Sequence, residues 1–132
     1  MTAENIGYGF KKLLEMDFSD ALARVREGLM TEGFGVITEI DLKAKFKEKL
    51  GKDFPSYVIL GACNPGFAYD AVNEDSDIGL LLPCNVAVYQ EGSKTAVAVL
   101  DAEKALSLTG NDQMRAMAAT VNEKLRRTLD SL

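Results

Sequence analysis

The strongest constraint on the fold is a pair of strand-like segments joined by a very short connection. In two segments, residues 84–90 and residues 94–100, valine alternates with alanine or another residue. Only Glu91-Gly92-Ser93 lies between the segments. A short, glycine-containing connection between two such segments is typical of a β-hairpin. Because parallel neighbours in a sheet need a crossover of a dozen or more residues, this hairpin excludes a purely parallel sheet.

Helices are predicted wherever a capping residue precedes apolar residues at helical spacing. A long helix starts after Asp17 and ends at Gly33, which suits the left-handed position that closes a helix. Its inward residues are Phe18, Ala21, Leu22, Val25 and Leu29. Shorter helices are expected after Asp41, after Asn64-Pro65 (with Phe67, Ala68, Ala71 and Val72 inward) and after Asp101. A second long helix ends the chain, with Met114, Met117, Ala118, Val121, Leu125 and Leu129 inward.

Three further strands are predicted at residues 8–16, 34–40 and 57–62. In the second of these, Phe34, Val36 and Ile40 are expected on one face and Glu39 on the other, because side chains alternate along a strand. The sequence therefore predicts an α+β fold, as a single domain over residues 1–132. Its mainly antiparallel sheet has about five strands, with two long amphipathic helices on one face and shorter helices at the strand ends.

Charge and composition restrict the classes of partner. Lysine and arginine number 15 against 20 acidic residues, for a net charge of −5, and no histidine is present. This balance argues against nucleic acid or anionic membrane as a partner, since proteins that bind either one carry clusters of positive charge. The uninterrupted apolar run at residues 78–82 is far shorter than a membrane span, and the first residues do not resemble a signal peptide. We expect a cytoplasmic protein whose two cysteines are free thiols.

The candidate site combines two Cys-Asn pairs, each at a predicted strand end. Cys63 comes directly before the helix that Asn64-Pro65 starts, where backbone N–H groups and the helix dipole favour a thiolate or a bound anion. Cys84 follows a proline at the start of the hairpin. The residues expected to line a ligand pocket are Cys63, Asn64, Pro65, Cys84, Asn85 and Glu39.

Other readings of these residues stay open. The cysteines can be purely structural, because free cysteine is often buried. A redox pair would require the two sulfurs to be close, and a metal site would need further ligands beyond Cys63 and Cys84. The lysines between Lys43 and Lys52 fit a solvated helix face better than a phosphate site. Glu39 and Asp41 are a weak candidate for acid–base chemistry, with Asp41 already a helix cap.

Three strings of residues resemble the family named domain of unknown function 302. They are residues 32–41 (EGFGVITEID), 57–65 (YVILGACNP) and 78–86 (IGLLLPCNV), in the expected order, and the resemblance extends from about Gly7 to the last helix. It implies a small α+β domain of bacteria and archaea that forms homodimers, and it implies no activity. Two of its strings contain Cys63 and Cys84.

The leading hypothesis is a small-molecule or anion binding module with its pocket at Cys63/Asn64 and Cys84/Asn85. No cofactor or metal is assigned, and whether a reaction is catalysed stays open. The alternatives are a thiol-dependent redox or metal-handling protein, and a homodimerisation domain that associates through the apolar sheet face left uncovered by helices.

Overall fold

A computed structural model describes residues 3–132, which form an antiparallel sheet, five α-helices and one 3₁₀ helix. The strands are β1 (Glu4–Asn5), β2 (Gly9–Leu14), β3 (Gly35–Asp41), β4 (Tyr57–Cys63), β5 (Cys84–Glu91) and β6 (Lys94–Leu100). The α-helices are α1 (Phe18–Thr31), α2 (Leu42–Leu50), α3 (Pro65–Glu74), α4 (Ala102–Ser107) and α5 (Asp112–Asp130), and the 3₁₀ helix is Ser76–Leu81. The strand order is β1-β2-β6-β5-β4-β3. The predicted α+β class with an antiparallel sheet is confirmed.

The β5–β6 hairpin is confirmed and lies at the centre of the sheet. Its strands pair from Val86↔Val99 to Glu91↔Lys94, and Gly92 in the turn has a φ of 63°. That left-handed conformation is readily available to glycine. The sheet has six strands within the described residues rather than about five, because the two residues of β1 add a short strand to the edge of β2.

The two long helices pack on the same face of the sheet, which is called the inner face below. α1 buries Ala21, Val25 and Leu29 there, as its apolar spacing predicts. The strands contribute a layer of valine and leucine to the same core, namely Val58, Leu60, Val86, Val88, Val97 and Val99. α5 buries Met114, Ala118, Val121, Leu125 and Leu129, whereas Met117 is only partly buried. The amphipathic patterns of both helices thus predict their orientation correctly, with Met117 at the margin.

The predicted caps form at the starts of the helices. The carboxylate of Asp17 accepts a hydrogen bond from the Asp20 N–H at 2.8 Å, and that of Asp41 accepts one from Ala44 at 3.0 Å. Gly51 ends α2 in the left-handed conformation, with a φ of 65°. Each cap satisfies backbone groups that the helix itself leaves free, so these boundaries follow from local sequence.

A buried asparagine joins α5 to the start of α4. Asn122 is 6% exposed, and its Oδ1 accepts a hydrogen bond from the Ala102 N–H at 2.7 Å. Its Nδ2 donates to the carboxylate of Asp101, which caps α4 through the Lys104 N–H. These bonds satisfy polar groups that would otherwise be buried without partners.

A buried lysine contacts the carbonyl end of α5. The Lys12 ammonium on β2 donates to the carbonyl oxygens of Leu129 at 3.3 Å and Leu132 at 2.8 Å. A cation is favourable at this position because the carbonyl end of a helix carries partial negative charge. The sheet therefore holds α5 by polar contacts as well as by its apolar face.

Some predicted side-chain positions are wrong. The pairing of β3 with β4 shifts between Val36 and Thr38, so the side-chain alternation changes phase there. Glu39 consequently shares the inner face with Val36, opposite Leu60, whereas Ile40 lies on the outer face and is 42% exposed. Tyr8 lies before β2 rather than in it and is largely exposed, and Val72 on α3 is also exposed rather than inward. None of the helices in residues 3–132 has the length and apolar character that a bilayer crossing requires.

We expect Asn122→Ala to lower the free energy of unfolding by about 1–3 kcal/mol, because the buried Ala102 N–H and the Asp101 carboxylate lose their partner. Asn73→Ala is the matched control, since Asn73 is exposed and its Nδ2 bonds only to the Tyr69 carbonyl one turn away. The control should change stability by less than about 0.5 kcal/mol. Urea unfolding followed by circular dichroism measures both, and equal effects would contradict the role given to Asn122.

Candidate functional site

A cavity of about 270 Å³ lies where β4 and β5 meet the helices. β4 leads into α3 at this end of the sheet, and β5 begins just after the 3₁₀ helix. Its walls are mostly apolar and come from separate parts of the chain, including Phe34, Phe67, Leu82 and Val121. Its polar side chains are Cys63, Asn64 and Cys84.

The pairing of β4 with β5 brings the two cysteines into this cavity. Cys84 pairs with Ala62, the residue before Cys63 on the neighbouring strand. Cys84 is buried and Cys63 is partly exposed, and both carry free thiols in the structure. Residues that are 21 positions apart in the sequence therefore line one cavity, as the sequence hypothesis required.

Asn64 both caps α3 and forms part of the cavity wall. Its Oδ1 accepts a hydrogen bond from the Phe67 N–H at 3.2 Å, which confirms the predicted cap. Within residues 3–132, its Nδ2 donates to no protein acceptor. Because the oxygen is occupied by the cap, the amide nitrogen is the part of Asn64 that is available to a ligand.

Three of the predicted site residues lie outside the cavity wall. Pro65 occupies the first position of α3 and is exposed, and Asn85 on β5 is exposed on the outer face. Glu39 is exposed on the edge strand, where its carboxylate forms an ion pair with Arg26 of α1. The bulge in β3 explains this position, since it turns Glu39 toward α1.

The lysines of α2 form no focused basic patch. Their side chains are exposed, and three of them have an acidic neighbour: Lys45 and Lys49 approach Glu48, and Lys47 bonds to Asp53. This arrangement matches the solvated helix face that the sequence favours.

Close packing next to the cavity explains the glycine at position 61. A Cβ atom added to Gly61 would collide with the Oγ1 of Thr38 and would lie 2.7 Å from the Pro83 ring. The glycine thus allows the Thr38 side chain and the proline that precedes Cys84 to come together over β4. Residues of β3, of β4 and of the segment before β5 therefore pack closely together beside the site.

Burial raises the pKa of the Cys84 thiol to about 11, and the neighbouring Cys63 adds to the shift. A thiolate in this position would lose its hydration without gaining a compensating cation. Cys84 is therefore a neutral thiol near pH 7, which makes it a poor nucleophile. Within residues 3–132, no cluster of three or more His, Cys, Asp or Glu side chains is arranged to hold a metal ion.

Sequence reasoning missed the apolar part of the wall. Phe34 and Val121 are core residues by their spacing, and nothing in that spacing shows that they border a cavity. For Leu82 and Pro83 the sequence offers one indication that they line the site, namely their position directly before Cys84. Such walls depend on tertiary packing, which periodicity does not report.

Comparison with known proteins identifies a family and a similar solved structure. A family model described as "Domain of unknown function DUF302" matches residues 10–132. The crystal structure of an uncharacterized conserved DUF302 protein from Bacillus stearothermophilus is similar to this chain, with a TM-score of 0.87 and 30% sequence identity. The match covers 94% of this chain and 97% of that one. No curated protein shows significant similarity to the chain.

The buried thiol predicts a loss of stability at alkaline pH. The folded-state pKa of Cys84 is raised from 9.0 to about 11, so its contribution is fully present below pH 9 and is lost as pH rises toward 11. The loss is about 2–3 kcal/mol, at about 1.4 kcal/mol per pH unit. Cys84→Ala should remove this part of the pH dependence, whereas Cys63→Ala should keep most of it. Urea unfolding from pH 8 to 11 measures the slopes, and identical slopes for the wild type and Cys84→Ala would contradict the prediction.

Proposed function

The chain belongs to the DUF302 family, whose description assigns no activity, and we propose that it is a binding module for a small, largely apolar molecule. The observation that carries this proposal is the cavity at the β4 and β5 ends, in which the two cysteines and Asn64 interrupt an apolar wall. Ligand sites typically combine such a wall with a few polar groups that orient the ligand.

The size of the cavity limits the ligand. An apolar cavity of about 150 Å³ is sufficient to bind benzene. At about 270 Å³, this cavity accommodates a somewhat larger group, such as a substituted ring or a short branched chain. The free Nδ2 of Asn64 and the partly exposed Cys63 supply the polar contacts.

The local hydrogen bonding argues against a bare inorganic anion in the cavity. Pro65, at the first position of α3, has no N–H, the Phe67 N–H is bonded to the Asn64 side chain, and the Ala68 N–H is bonded to the Asn64 carbonyl. The start of the helix therefore offers few of the donors that anion sites use. The raised pKa of Cys84 likewise disfavours a reaction in which Cys84 itself is the nucleophile, because thiolate is the reactive form.

We also propose a cytoplasmic protein without a nucleic-acid or membrane partner. The net charge of −5 and the pairing of the α2 lysines with acidic neighbours support this proposal.

Filling the cavity should abolish ligand binding without unfolding the protein. Ala68 lines the cavity on α3, and Ala68→Leu adds apolar atoms into the empty space. In thermal shift measurements across a panel of small metabolites, wild-type protein should show a raised melting temperature with at least one compound, since a ligand of the folded state stabilises it. Ala68→Leu should lose that shift. Ala116→Leu, at an exposed position on α5, should keep it, and a shift retained by both variants would place the ligand elsewhere.

We propose homodimerisation through the outer face of the sheet as a second function, compatible with the first. Register places Lys11, Ala98, Ala87, Ile59 and Ile40 in one row across this face. The rings of Tyr57 and Tyr89 stack beside this row, with centroids 5.0 Å apart. The small alanines at the centre give a flat surface, and half-exposed apolar side chains surround it. Such a surface suits the self-complementary contact of a two-fold dimer.

A charge at the centre of this face should separate the dimer. Ala98→Glu places a carboxylate near its own symmetry mate, so the dissociation constant should rise by at least about tenfold. Ala116→Glu on α5 is the control, and its molecular mass in solution should equal that of the wild type. Sedimentation equilibrium of the wild type and both variants measures this, and a wild-type protein that is monomeric at high concentration would overturn the dimer proposal.

A further inference from the structure

The proposed ligand cavity continues into a second cleft that carries charge. This cleft has a volume of about 250 Å³ and lies between α3 and α5. It shares Asn64, Phe67 and Val121 with the cavity, so the two spaces adjoin along one wall. The cavity is mainly apolar, whereas the cleft adds the charged and polar side chains Asp70, Thr120 and Lys124.

The two charged groups of the cleft face it from different helices and remain unpaired. Asp70 extends from α3 and Lys124 from α5. Within residues 3–132, neither forms an ion pair with the other or with a third group, although seven other ion pairs occur there. One carboxylate and one ammonium therefore border the same cleft at a separation too long for a direct contact.

We infer that the ligand is a free α-amino acid with an apolar side chain, an inference that rests on the proposed function. The apolar side chain occupies the cavity beside Cys84. The α-carboxylate lies near Lys124 and accepts a hydrogen bond from the Asn64 Nδ2, and the α-ammonium lies near Asp70. A molecule with an apolar group and both charges has a counterpart for every part of this surface, whereas a singly charged molecule can pair with only one of the two charged side chains.

The relative positions of the cavity and the cleft support an α-amino acid as the ligand. Asn64 lines both spaces, so it stands on the border between the apolar and the charged regions. In an α-amino acid the charged groups and the side chain meet at one carbon, which is the branch point that this arrangement requires. The volume of the cavity exceeds the roughly 150 Å³ that holds benzene, so a benzyl or isobutyl side chain fits.

A matched set of four probes tests the inference on the full chain. L-phenylalanine, 3-phenylpropionate, 2-phenylethylamine and 3-phenylpropan-1-ol carry the same ring and differ in charge. In isothermal titration calorimetry, phenylalanine should bind at least about tenfold more tightly than each of the other three. Lys124→Gln should lower the affinity for phenylalanine and for phenylpropionate by about tenfold and leave the affinity for phenylethylamine unchanged. Asp70→Asn should lower the affinity for phenylalanine and for phenylethylamine and leave the affinity for phenylpropionate unchanged.

Controls separate this inference from the proposed function. Lys43→Gln and Asp112→Asn change the same residue types at exposed positions outside the cleft and should have no effect. If all four probes bind equally and Ala68→Leu removes their binding, the amino-acid inference is overturned and the apolar cavity function stands. If phenylalanine binds Ala68→Leu as tightly as the wild type, or if no probe binds while other apolar compounds do, the inference is also overturned. If no apolar compound of any charge binds, both proposals fall.

Discussion

The packing of α5 against the inner face of the sheet is the interaction on which the rest of the structure depends. Its buried apolar residues run from Met114 to Leu129 and contact the core that α1 and the central strands share. Asn122 and Lys12 fix the helix by hydrogen bonds near its middle and at its carbonyl end. Because Val121 belongs to this same face, core packing sets the part of the cavity wall that α5 supplies. A ligand in the cavity would therefore meet a surface that is already in place.

The chemistry available at the site follows from where the sheet places the sulfur atoms. The pairing of Ala62 with Cys84 puts one thiol on the inner face among apolar neighbours, and there burial favours the neutral form. Cys63 is more exposed, at the junction of β4 and α3. Thiol exchange needs a thiolate to start it, so Cys84 is poorly suited to be the attacking sulfur. Cys84 instead suits contact with a ligand, because a neutral thiol is apolar and polarisable.

How much of this site the sequence predicts depends on whether the signal is local. The position of Cys63 and Asn64 at the junction of β4 and α3 is predictable, because a helix cap and its proline are encoded within a few residues. Glu39 was assigned to the wrong face because the bulge after Val36 depends on pairing with β4, and a strand pattern alone does not show a shift of register. Phe34 and Val121 were recognised only as core residues, because the packing that leaves a cavity beside them arises from several elements at once.

The two faces of the sheet separate the two proposed functions. The cavity lies at the end of β4 and β5 on the helix side, whereas Ala87 and Ala98 lie near the middle of the outer face. Ala87 is three residues from Cys84 along β5, a distance of about 10 Å at about 3.3 Å per residue. Neither the cavity nor the adjoining cleft takes a side chain from the central row of the outer face. Association of two copies through this row would therefore leave the cleft between α3 and α5 open.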